Sequence, residues 1–501
     1  MDNISIFLCF VIGLISLILI SFKKRYAYWR DRGIANLEAT IPFGNLPMGK
    51  VHIKDITDPI YKQKKPGAPF MGAYFFRTPV VVATDLDFIQ NVLVKDFSNF
   101  HERGMYVNEE DDPLSGHMFS LDGEKWKSLR AKLSPTFTSG KMKFMFPTVV
   151  DVADTLNSTL AEVLKTESEL EVRDLLSRFT TDVIGTCAFG IECNSLKTTD
   201  SEFRNFGSKI FDKPLHGPLM ELFRTQYPNL ARRLHVRVVS KEIEDFFMGL
   251  VRETISYREK NNVRRNDFMD LLIRLKNGEA LDERSQKLGR VTFEEIAAQA
   301  FVFFVAGFET SSTNMLFTLY ELALNPDIQE KARREIEIIL SKYEGKLTYE
   351  AVQDMVYVDQ IISESLRKYP PGVILVRQAV RDYPVPGTET TIEKGTAIFI
   401  PVFSIHHDPE IFPNPEVFDP NRFTPEQIKA RHPMSFLPFG EGPRNCIGLR
   451  FGRMQSRIGL ITLLKNYRFS PCSKTPIPMA FAERRPVLAP KFGMHLKIEK
   501  I

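Results

Sequence analysis

A single cysteine in a glycine-punctuated loop near the C-terminus constrains this chain more than any other feature. The loop runs from Phe439 to Gly448 with the sequence FGEGPRNCIG, and its cysteine is Cys446. Glycines at positions 440, 442 and 448 allow tight turns with positive φ around the sulfur. Such a loop can direct backbone N–H groups at a thiolate, which is how proteins hold a soft anionic ligand against haem iron. The alternative is a buried structural cysteine that follows a chance turn.

The residues after this loop predict a helix that begins beside the cysteine. Leu449, Phe451, Met454 and Ile458 recur at helical spacing. The positive end of the helix dipole would then lie near the sulfur and favour its thiolate form.

Composition places the chain among ordinary globular proteins. Its 501 residues are 43% hydrophobic and 26% charged, which is enough for one large domain or two. A net charge of +4, with no array of basic and aromatic residues, argues against nucleic-acid binding. The five cysteines show no CxxC spacing. Cys187 and Cys193 could pair, but a reducing compartment is the simpler interpretation.

The N-terminus carries a candidate membrane anchor. Residues Ile4 to Phe22 are uncharged and largely apolar, and a helix of this length spans the hydrocarbon layer. Lysines and arginines follow the segment, so the positive-inside bias places the N-terminus in the lumen and the rest in the cytosol. The alternative, a cleaved signal peptide, lacks a basic start and a small-residue cleavage site. We therefore predict an anchor at 1–22, a basic, Pro/Gly-rich linker at 23–50 and the main domain at 51–501.

Hydrophobic patterning predicts a mostly α fold with a minor β part. Phe76 to Ala83 reads as short strands, with Pro79 marking an edge or a bend. Helical periodicity dominates after about residue 85, and Asp267 and Thr292 are predicted N-caps. Strand-like and turn-rich sequence returns at 372–405 and 471–500.

A long apolar helix is predicted over 292–325, and its middle carries the sequence AGFET at 306–310. Glycine within a helix costs about 0.5–1 kcal/mol relative to alanine, so Gly307 needs a reason. One reason is a bulge in which the Thr310 hydroxyl takes a displaced carbonyl and opens a groove. The adjacent Glu309 and Thr310 could then deliver the protons needed for O–O cleavage. The alternative is helix packing at a small residue, with Glu309 solvated.

Three further patterns suggest sites. Trp126 and Arg130 are four residues apart, which suits binding of one carboxylate. Glu364 and Arg367 lie three apart on one helix face, a weak signal alone. His406, His407 and Asp408 could suggest a metal site, but the prolines that follow favour an Asx-type turn.

The loop pattern Phe-x-x-Gly-x-Arg-x-Cys-x-Gly resembles the haem-binding loop of the cytochrome P450 family. AGFET is similar to that family's oxygen-activation motif, and the motifs occur in the family's order along the whole chain. The local sequences WKSLRAKLSPTFTSGKMK (126–143) and AGFETSS (306–312) are most similar to those of insect microsomal monooxygenases that metabolise xenobiotics. The resemblance implies a cytochrome P450 fold with an anchor helix, and haem between the long helix and Cys446.

The resemblance also implies roles for individual residues. Cys446 would be the axial ligand of the haem iron within the loop from Phe439 to Gly448, and Glu309 and Thr310 would be catalytic. Haem propionates would be held by Trp126, Arg130, Arg377 and Arg444. Glu364, Arg367 and Arg422 would form a structural cluster. The substrate pocket would include Phe301, Val302, Val305 and Ala306, expected on the face of Thr310, together with Val373 and Leu375, and would draw on 100–121, 205–225 and 480–485.

By the same resemblance the chain is a haem b monooxygenase of the endoplasmic-reticulum membrane. NADPH electrons would arrive through NADPH–cytochrome P450 reductase, with cytochrome b5 as a further donor, and the substrates would be small lipophilic compounds such as plant toxins or insecticides. A biosynthetic enzyme acting on a hormone or fatty acid is the alternative within the class. A haem sensor or electron carrier is the alternative of another class. Basic residues that could attract the reductase are Lys125, Lys127, Lys132, Lys141, Lys143, Arg450 and Arg453.

Overall fold

The structure, a computed structural model, describes residues 3–47, 51–198, 201–212, 215–265, 267–279, 290–483 and 485–501. Helices predominate and strands are few, so the predicted fold class is confirmed. The chain forms two compact units. The first comprises residues 1–104, 373–413 and 432–445, and the second comprises 105–372, 414–431 and 446–501.

The first unit begins with the helix Asn3–Arg25, whose apolar side chains are exposed up to its last turn. Within the described residues it is the one helix long and apolar enough to cross a membrane. Only Phe22 is buried, at the end of the helix, where its ring packs edge-on against Phe76. Such a helix fits a membrane anchor.

The segment predicted as a linker packs within the first unit, apart from residues 48–50, which lie outside the described residues. Trp29 is 1% exposed, and its indole Nε1 donates to the Ala73 carbonyl at 2.9 Å. A Cβ on Gly72 would lie 2.5 Å from the indole ring. The chain is therefore anchored to the sheet within a few residues of the N-terminal helix, because a large aromatic side chain is buried there.

The main sheet of the first unit has four strands. In spatial order they are Phe70–Phe75, Thr78–Ala83, Ala397–Ile400 and Leu375–Gln378. The first pair and the last pair are antiparallel, and the middle pair is parallel. Pro79 does not mark an edge strand, because its strand is interior. It lies beside the hairpin turn, and pairing with the third strand begins only at Val80, so its missing N–H breaks no bond there.

The remaining elements of the first unit are short. A two-stranded ladder joins Tyr383–Pro384 to Thr391–Ile392. The helices are Asp58–Tyr61, Leu86–Gln90, the π-helix Asn91–Lys95, Val402–His406, and the 3₁₀ turns Arg30–Arg32, Ile53–Ile56, Phe97–Asn99 and Pro433–Ser435.

The second unit is mostly helical. Its α-helices are Gly123–Leu133, Ser139–Val163, Val172–Ile184, Glu202–Asp212, Pro218–Gln226, Pro228–Arg233, Lys241–Lys260, Phe268–Lys276, Phe293–Leu324, Pro326–Lys342, Tyr349–Asp354, Val356–Lys368, Pro425–Ala430 and Leu449–Asn466. A π-helix, Gly185–Phe189, and the 3₁₀ turns Pro113–Ser115, Ser134–Phe137 and Pro420–Phe423 connect them. An antiparallel sheet has the order Glu169–Glu171, His495–Lys500, Tyr467–Pro471.

Two helices of this unit position the site. The long helix, Phe293–Leu324, begins with a complete capping box between Thr292 and Glu295, as predicted. The cysteine helix, Leu449–Asn466, begins three residues after Cys446, also as predicted. Asp267 is likewise an N-cap, accepting from the Asp270 N–H at 2.8 Å.

Candidate functional site

Cys446 presents an exposed, unbridged thiol just before the cysteine helix. Gly440 and Gly442 adopt φ values of +67° and +75°, so both use the left-handed region as predicted. Gly448 does not. Its φ is −87° and it serves as the N-cap, because the helix begins directly after it. The sulfur therefore lies near the positive end of a helix, where a thiolate is favoured.

Gly442 is required by space as well as by φ. A Cβ at this position would lie 1.9 Å from the Leu93 carbonyl oxygen, both residues being in the first unit. Gly440 has more room, since its nearest neighbour would be a Leu375 methyl group at 3.6 Å. One close backbone contact at position 442 therefore shapes the part of the loop before the cysteine, and only a glycine, which has no Cβ, permits it.

The cysteine helix crosses the long helix near residue 307. Gln455 Nε2 donates to the Gly307 carbonyl at 2.9 Å and also contacts the Ser311 hydroxyl. One turn earlier, a Cβ on Gly452 would lie 3.6 Å from Ser311 Oγ. The AGFET segment is therefore in direct contact with the helix that begins three residues after Cys446.

One face of the long helix is open, although the helix is otherwise buried. This open face consists of Val302, Val305, Ala306 and Thr310, which are partly or fully exposed amid buried neighbours. The Thr310 hydroxyl donates to the Ala306 carbonyl at 2.7 Å, a bond that threonines in helices make to the carbonyl one turn earlier. The face offers a hydroxyl among apolar side chains.

Phe301 does not share this face. It is 4% exposed, whereas the four residues of the open face are partly or fully exposed, and its ring lies edge-on to Phe247 with centroids 5.2 Å apart. The expectation that it lies on the face of Thr310 is therefore corrected by its burial.

Glu309 is not solvated. It is 3% exposed, and its Oε1 accepts from Arg173 at 3.0 Å and from Arg485 at 3.2 Å. Burial raises the pKa of Glu309 and Arg173 opposes this, while burial also lowers the pKa of Arg485 to about 10. Sequence analysis missed both arginines, because neither stands at a spacing that relates it to residue 309.

Close packing against another helix explains why residue 307 is a glycine. A Cβ there would lie 2.7 Å from Ile184 Cδ1 on the helix Val172–Ile184. The part of the alternative interpretation that concerned close packing at a small residue therefore holds.

The predicted propionate residues lie in both units. Trp126 is buried and Arg130 half-buried on one face of the helix Gly123–Leu133. Burial lowers the pKa of Arg130, whereas the charge of Cys446 acts in the opposite direction, so guanidinium and sulfur are within electrostatic reach. Arg377 and Arg444 are buried in the first unit.

Glu364, Arg367 and Arg422 are brought together as a buried cluster. Arg367 donates to both Glu364 oxygens, at 2.7 and 2.9 Å, and both side chains are fully buried. Arg422 approaches the same carboxylate at 3.4 Å, and the Asp419 N–H donates to it at 2.9 Å. Burial raises the pKa of Glu364, and Arg367 opposes this most strongly.

The histidine-rich segment forms a turn. Asp408 accepts from the Glu410 N–H at 3.0 Å, the bond of an Asx turn, and pairs with Lys64 at 2.6 Å. His406 Nε2 accepts from the Leu437 N–H at 2.9 Å. Among the described residues, no three or more His, Cys, Asp or Glu side chains are arranged to hold a metal ion. Cys187 and Cys193 are free thiols.

The basic residues differ in exposure. Lys132 is buried, with a lowered pKa caused by burial, so it cannot belong to a surface patch. Arg453 is half-buried and lies 3.9 Å from Asp359. Lys125, Lys127 and Lys143 are each more than 60% exposed and pair with a glutamate, and Arg450 is exposed.

The residues of the second unit fit a haem. They offer an exposed sulfur at a helix N-terminus, a guanidinium within electrostatic reach of it, and a helix in contact with the cysteine helix that carries an open apolar face. These match what a thiolate-ligated porphyrin with anionic propionates needs. Of the predicted pocket segments, residues 213, 214 and 484 lie outside the described residues.

Comparison with known proteins agrees with the conclusion that the residues of the site fit a haem. The family model described as Cytochrome P450 matches residues 41–497. The chain is 46% identical over 500 residues to "Probable cytochrome P450 6a21" of Drosophila melanogaster, covering 99% of both proteins. It is 46% identical over 502 residues to "Cytochrome P450 6A1" of Musca domestica, covering 99% of this chain and 98% of that protein.

Proposed function

The chain belongs to the cytochrome P450 family, and from that premise we propose that it is a membrane-anchored monooxygenase of small lipophilic compounds. The observation that carries the proposal is the open face of the long helix. It presents the Thr310 hydroxyl among apolar side chains, on a helix that touches the cysteine helix. A haem sensor or electron carrier would not need a hydroxyl placed in this way.

Membership of the family implies a haem cofactor. In the proposal Cys446 ligates the iron, and Trp126 and Arg130 bind a propionate. The bound haem would supply O₂ binding and its reductive activation. The propionate roles of Arg377 and Arg444 stay predictions, as do the roles of Phe439 and Gly448 in shaping the loop around the cofactor.

Thr310 and Glu309 would take part in proton transfer. To deliver a proton, the Thr310 hydroxyl would turn its single O–H from the Ala306 carbonyl towards the reacting oxygen and would then regain a proton from solvent in the groove. Glu309 would join this region to Arg173, whose side chain is 27% exposed and so reaches solvent. Pairing with two guanidinium groups keeps Glu309 in one position.

The substrate class follows from the open face. Val302, Val305 and Ala306 offer apolar surface and no charge, which favours lipophilic molecules. We place xenobiotics such as plant toxins or insecticides first, and a hormone or fatty acid second. Val373 and Leu375 stay predicted pocket residues.

The proposed setting is the endoplasmic-reticulum membrane, with the bulk of the chain cytosolic. The apolar helix Asn3–Arg25 and the basic residues after it support a single-pass anchor. NADPH–cytochrome P450 reductase would donate the electrons, with cytochrome b5 as a further donor. Lys127 and Arg450 are exposed basic residues that would attract an acidic partner.

Turnover by the detergent-solubilised chain with NADPH, reductase and a panel of lipophilic compounds tests the proposal. Thr310→Ala should lower product formed per NADPH oxidised and raise peroxide release, because proton delivery is lost while electron input continues. Equal falls in product and NADPH oxidation would contradict the role of Thr310. Failure of the unaltered chain to form any product from any compound would favour the sensor or carrier.

The partner surface needs its own test. The double variant Lys127→Glu/Arg450→Glu should slow reductase-driven turnover and spare turnover driven by added peroxide. The loss should be largest at low ionic strength, because the Debye length shortens to about 10 Å at 0.1 M salt. Lys165→Glu, at a 67% exposed side chain in the turn that follows the helix Ser139–Val163, is the control. Equal losses with both oxidants would mean that the haem site itself is damaged.

A further inference from the structure

Four consecutive backbone carbonyls of the long helix, at residues 306–309, each accept a hydrogen bond from a side chain. The bonds are Thr310 Oγ1 to Ala306 O at 2.7 Å, Gln455 Nε2 to Gly307 O at 2.9 Å, Thr180 Oγ1 to Phe308 O at 2.9 Å, and Ser312 Oγ to Glu309 O at 3.0 Å. Two of the donors, Thr180 and Gln455, come from other helices. This turn immediately precedes the hydroxyl proposed to move protons.

A second donor changes what a helical carbonyl does. In a regular helix the carbonyl accepts the N–H four residues later, and its second lone pair can accept a side-chain donor, which ties the peptide plane to the element that carries the donor. Gly307 makes this support more important, because glycine has the lowest helical preference apart from proline. The turn 306–310 is therefore the part of the long helix whose peptide planes depend most on side chains outside the helix.

The two external donors approach from different helices. Successive carbonyls are rotated by about 100° around the helix axis, so those of Gly307 and Phe308 point in different directions. The cysteine helix supplies Gln455 to the first, and the helix Val172–Ile184 supplies Thr180 to the second. The peptide planes on both sides of residue 308 are thereby fixed.

Both donors are fully buried and neutral. Thr180 and Gln455 are 0% exposed, so neither bond competes with water. The single Thr180 proton also has two carbonyls of its own helix within reach, at 3.1 and 3.2 Å, but the Phe308 oxygen is the nearest. The Gln455 amide must present its nitrogen to Gly307, because two facing carbonyl oxygens would repel. An amide does not titrate, so Gln455 can position but cannot relay a proton.

We propose that Thr180 and Gln455 are positioning residues that hold the turn 306–310 and so orient the Thr310 hydroxyl. This inference rests on the proposed function, in which Thr310 moves a proton. It predicts that neutral, buried side chains outside the site control how much product is formed per NADPH oxidised.

Adjacent threonines on one helix provide a matched test. Thr181 is also 0% exposed, but its hydroxyl donates to Ser177 of its own helix at 2.7 Å and not to the long helix. Thr180→Val and Thr181→Val therefore make the same chemical change at adjacent, equally buried positions of one helix. Thr180→Ser, which restores the hydroxyl, is the rescue variant, and Gln455→Leu removes the second donor.

The first measurement is amide hydrogen exchange of the detergent-solubilised chain, followed on peptides that cover 306–313. Thr180→Val and Gln455→Leu should speed exchange there, Thr181→Val should not, and Thr180→Ser should restore the slow rate. The reason is that a lost external bond frees the peptide planes of this turn to open. This measurement needs no turnover. If exchange is the same in Thr180→Val and Thr181→Val, the proposal is overturned.

The second measurement is product formed per NADPH oxidised. Thr180→Val should lower it by about threefold to tenfold, less than the roughly hundredfold that a 1 Å misplacement can cost, with Thr181→Val close to the unaltered chain. Faster exchange with unchanged coupling would overturn the claim that these residues orient Thr310. If the unaltered chain forms no product, the monooxygenase proposal fails and the orienting role falls with it, while exchange still decides whether the two bonds hold the turn.

Discussion

Replacing Arg367 by methionine removes the cation nearest the Glu364 carboxylate and keeps most of the side-chain volume. In the native structure both groups are fully buried, and their two hydrogen bonds measure 2.7 and 2.9 Å. Arg422, at 3.4 Å, would remain beside the carboxylate, and Arg431 also interacts with it electrostatically. The variant therefore leaves a buried acid with much less compensation than before.

The expected cost follows from the ways in which Glu364 can respond. Removing one partner of a buried ion pair costs about 3–5 kcal/mol. Taking up a proton relieves the buried charge, and for a carboxyl of ordinary pKa near 4.3 this costs about 4 kcal/mol at pH 7.5. The two figures agree, so we expect the free energy of unfolding to fall by about 3–4 kcal/mol at pH 7.5, allowing for Arg422.

The cost should depend on pH, with a definite sign. Burial already raises the pKa of Glu364 in the native protein, and Arg367 is the strongest opposing group, so its loss must raise that pKa further. A folded-state pKa above the unfolded value means that the folded variant binds the proton more tightly, so its stability improves as pH falls. Between pH 7.5 and 5.5 the destabilisation should shrink by up to about 2.7 kcal/mol.

Urea unfolding followed by far-ultraviolet circular dichroism, at both pH values and for both proteins, measures this difference. The control is Lys165→Met, which breaks a pair at the same three-residue spacing and 2.7 Å distance, but between side chains 67% and 72% exposed. That change should be undetectable at either pH, because exposed pairs contribute little. A destabilisation by Arg367→Met that is the same at pH 7.5 and pH 5.5 would refute the reasoning.

Three other outcomes are expected. Cys446→His should abolish the thiolate-type Soret band of the reduced CO complex, whereas Cys187→Ala should leave it in place, and an unchanged spectrum in the first variant would rule out the ligand assignment. Gly442→Ala should prevent folding into a haem-binding form, because its Cβ would lie 1.9 Å from a carbonyl oxygen at φ +75°, while Gly448→Ala, with 4.0 Å of space, should express and fold; equal yields would contradict the contact. Gly72→Ala should displace the buried indole and make the chain between residues 25 and 32 cleavable by trypsin, and protection equal to that of the unaltered protein would show that this segment does not depend on the contact.

Short-range patterns in the sequence determined much of this protein. The cysteine loop, the AGFET segment and the caps at Asp267 and Thr292 were identified because their meaning depends on spacings of a few residues. Helical periodicity likewise predicted where the long helix and the cysteine helix lie. Such patterns depend on backbone geometry, which is the same in any fold.

The structure alone decided which distant side chains meet. Arg173 and Arg485 reach Glu309 from positions 136 and 176 residues away, and Thr180 and Gln455 reach the same turn from either side. Isolated arginine, threonine or glutamine residues carry no spacing that would indicate such contacts. They follow from how whole helices pack, which depends on the summed burial of many side chains. For the same reason the burial of Trp29 in the expected linker, and the position of Phe301 away from the open face, emerged only with the folded chain.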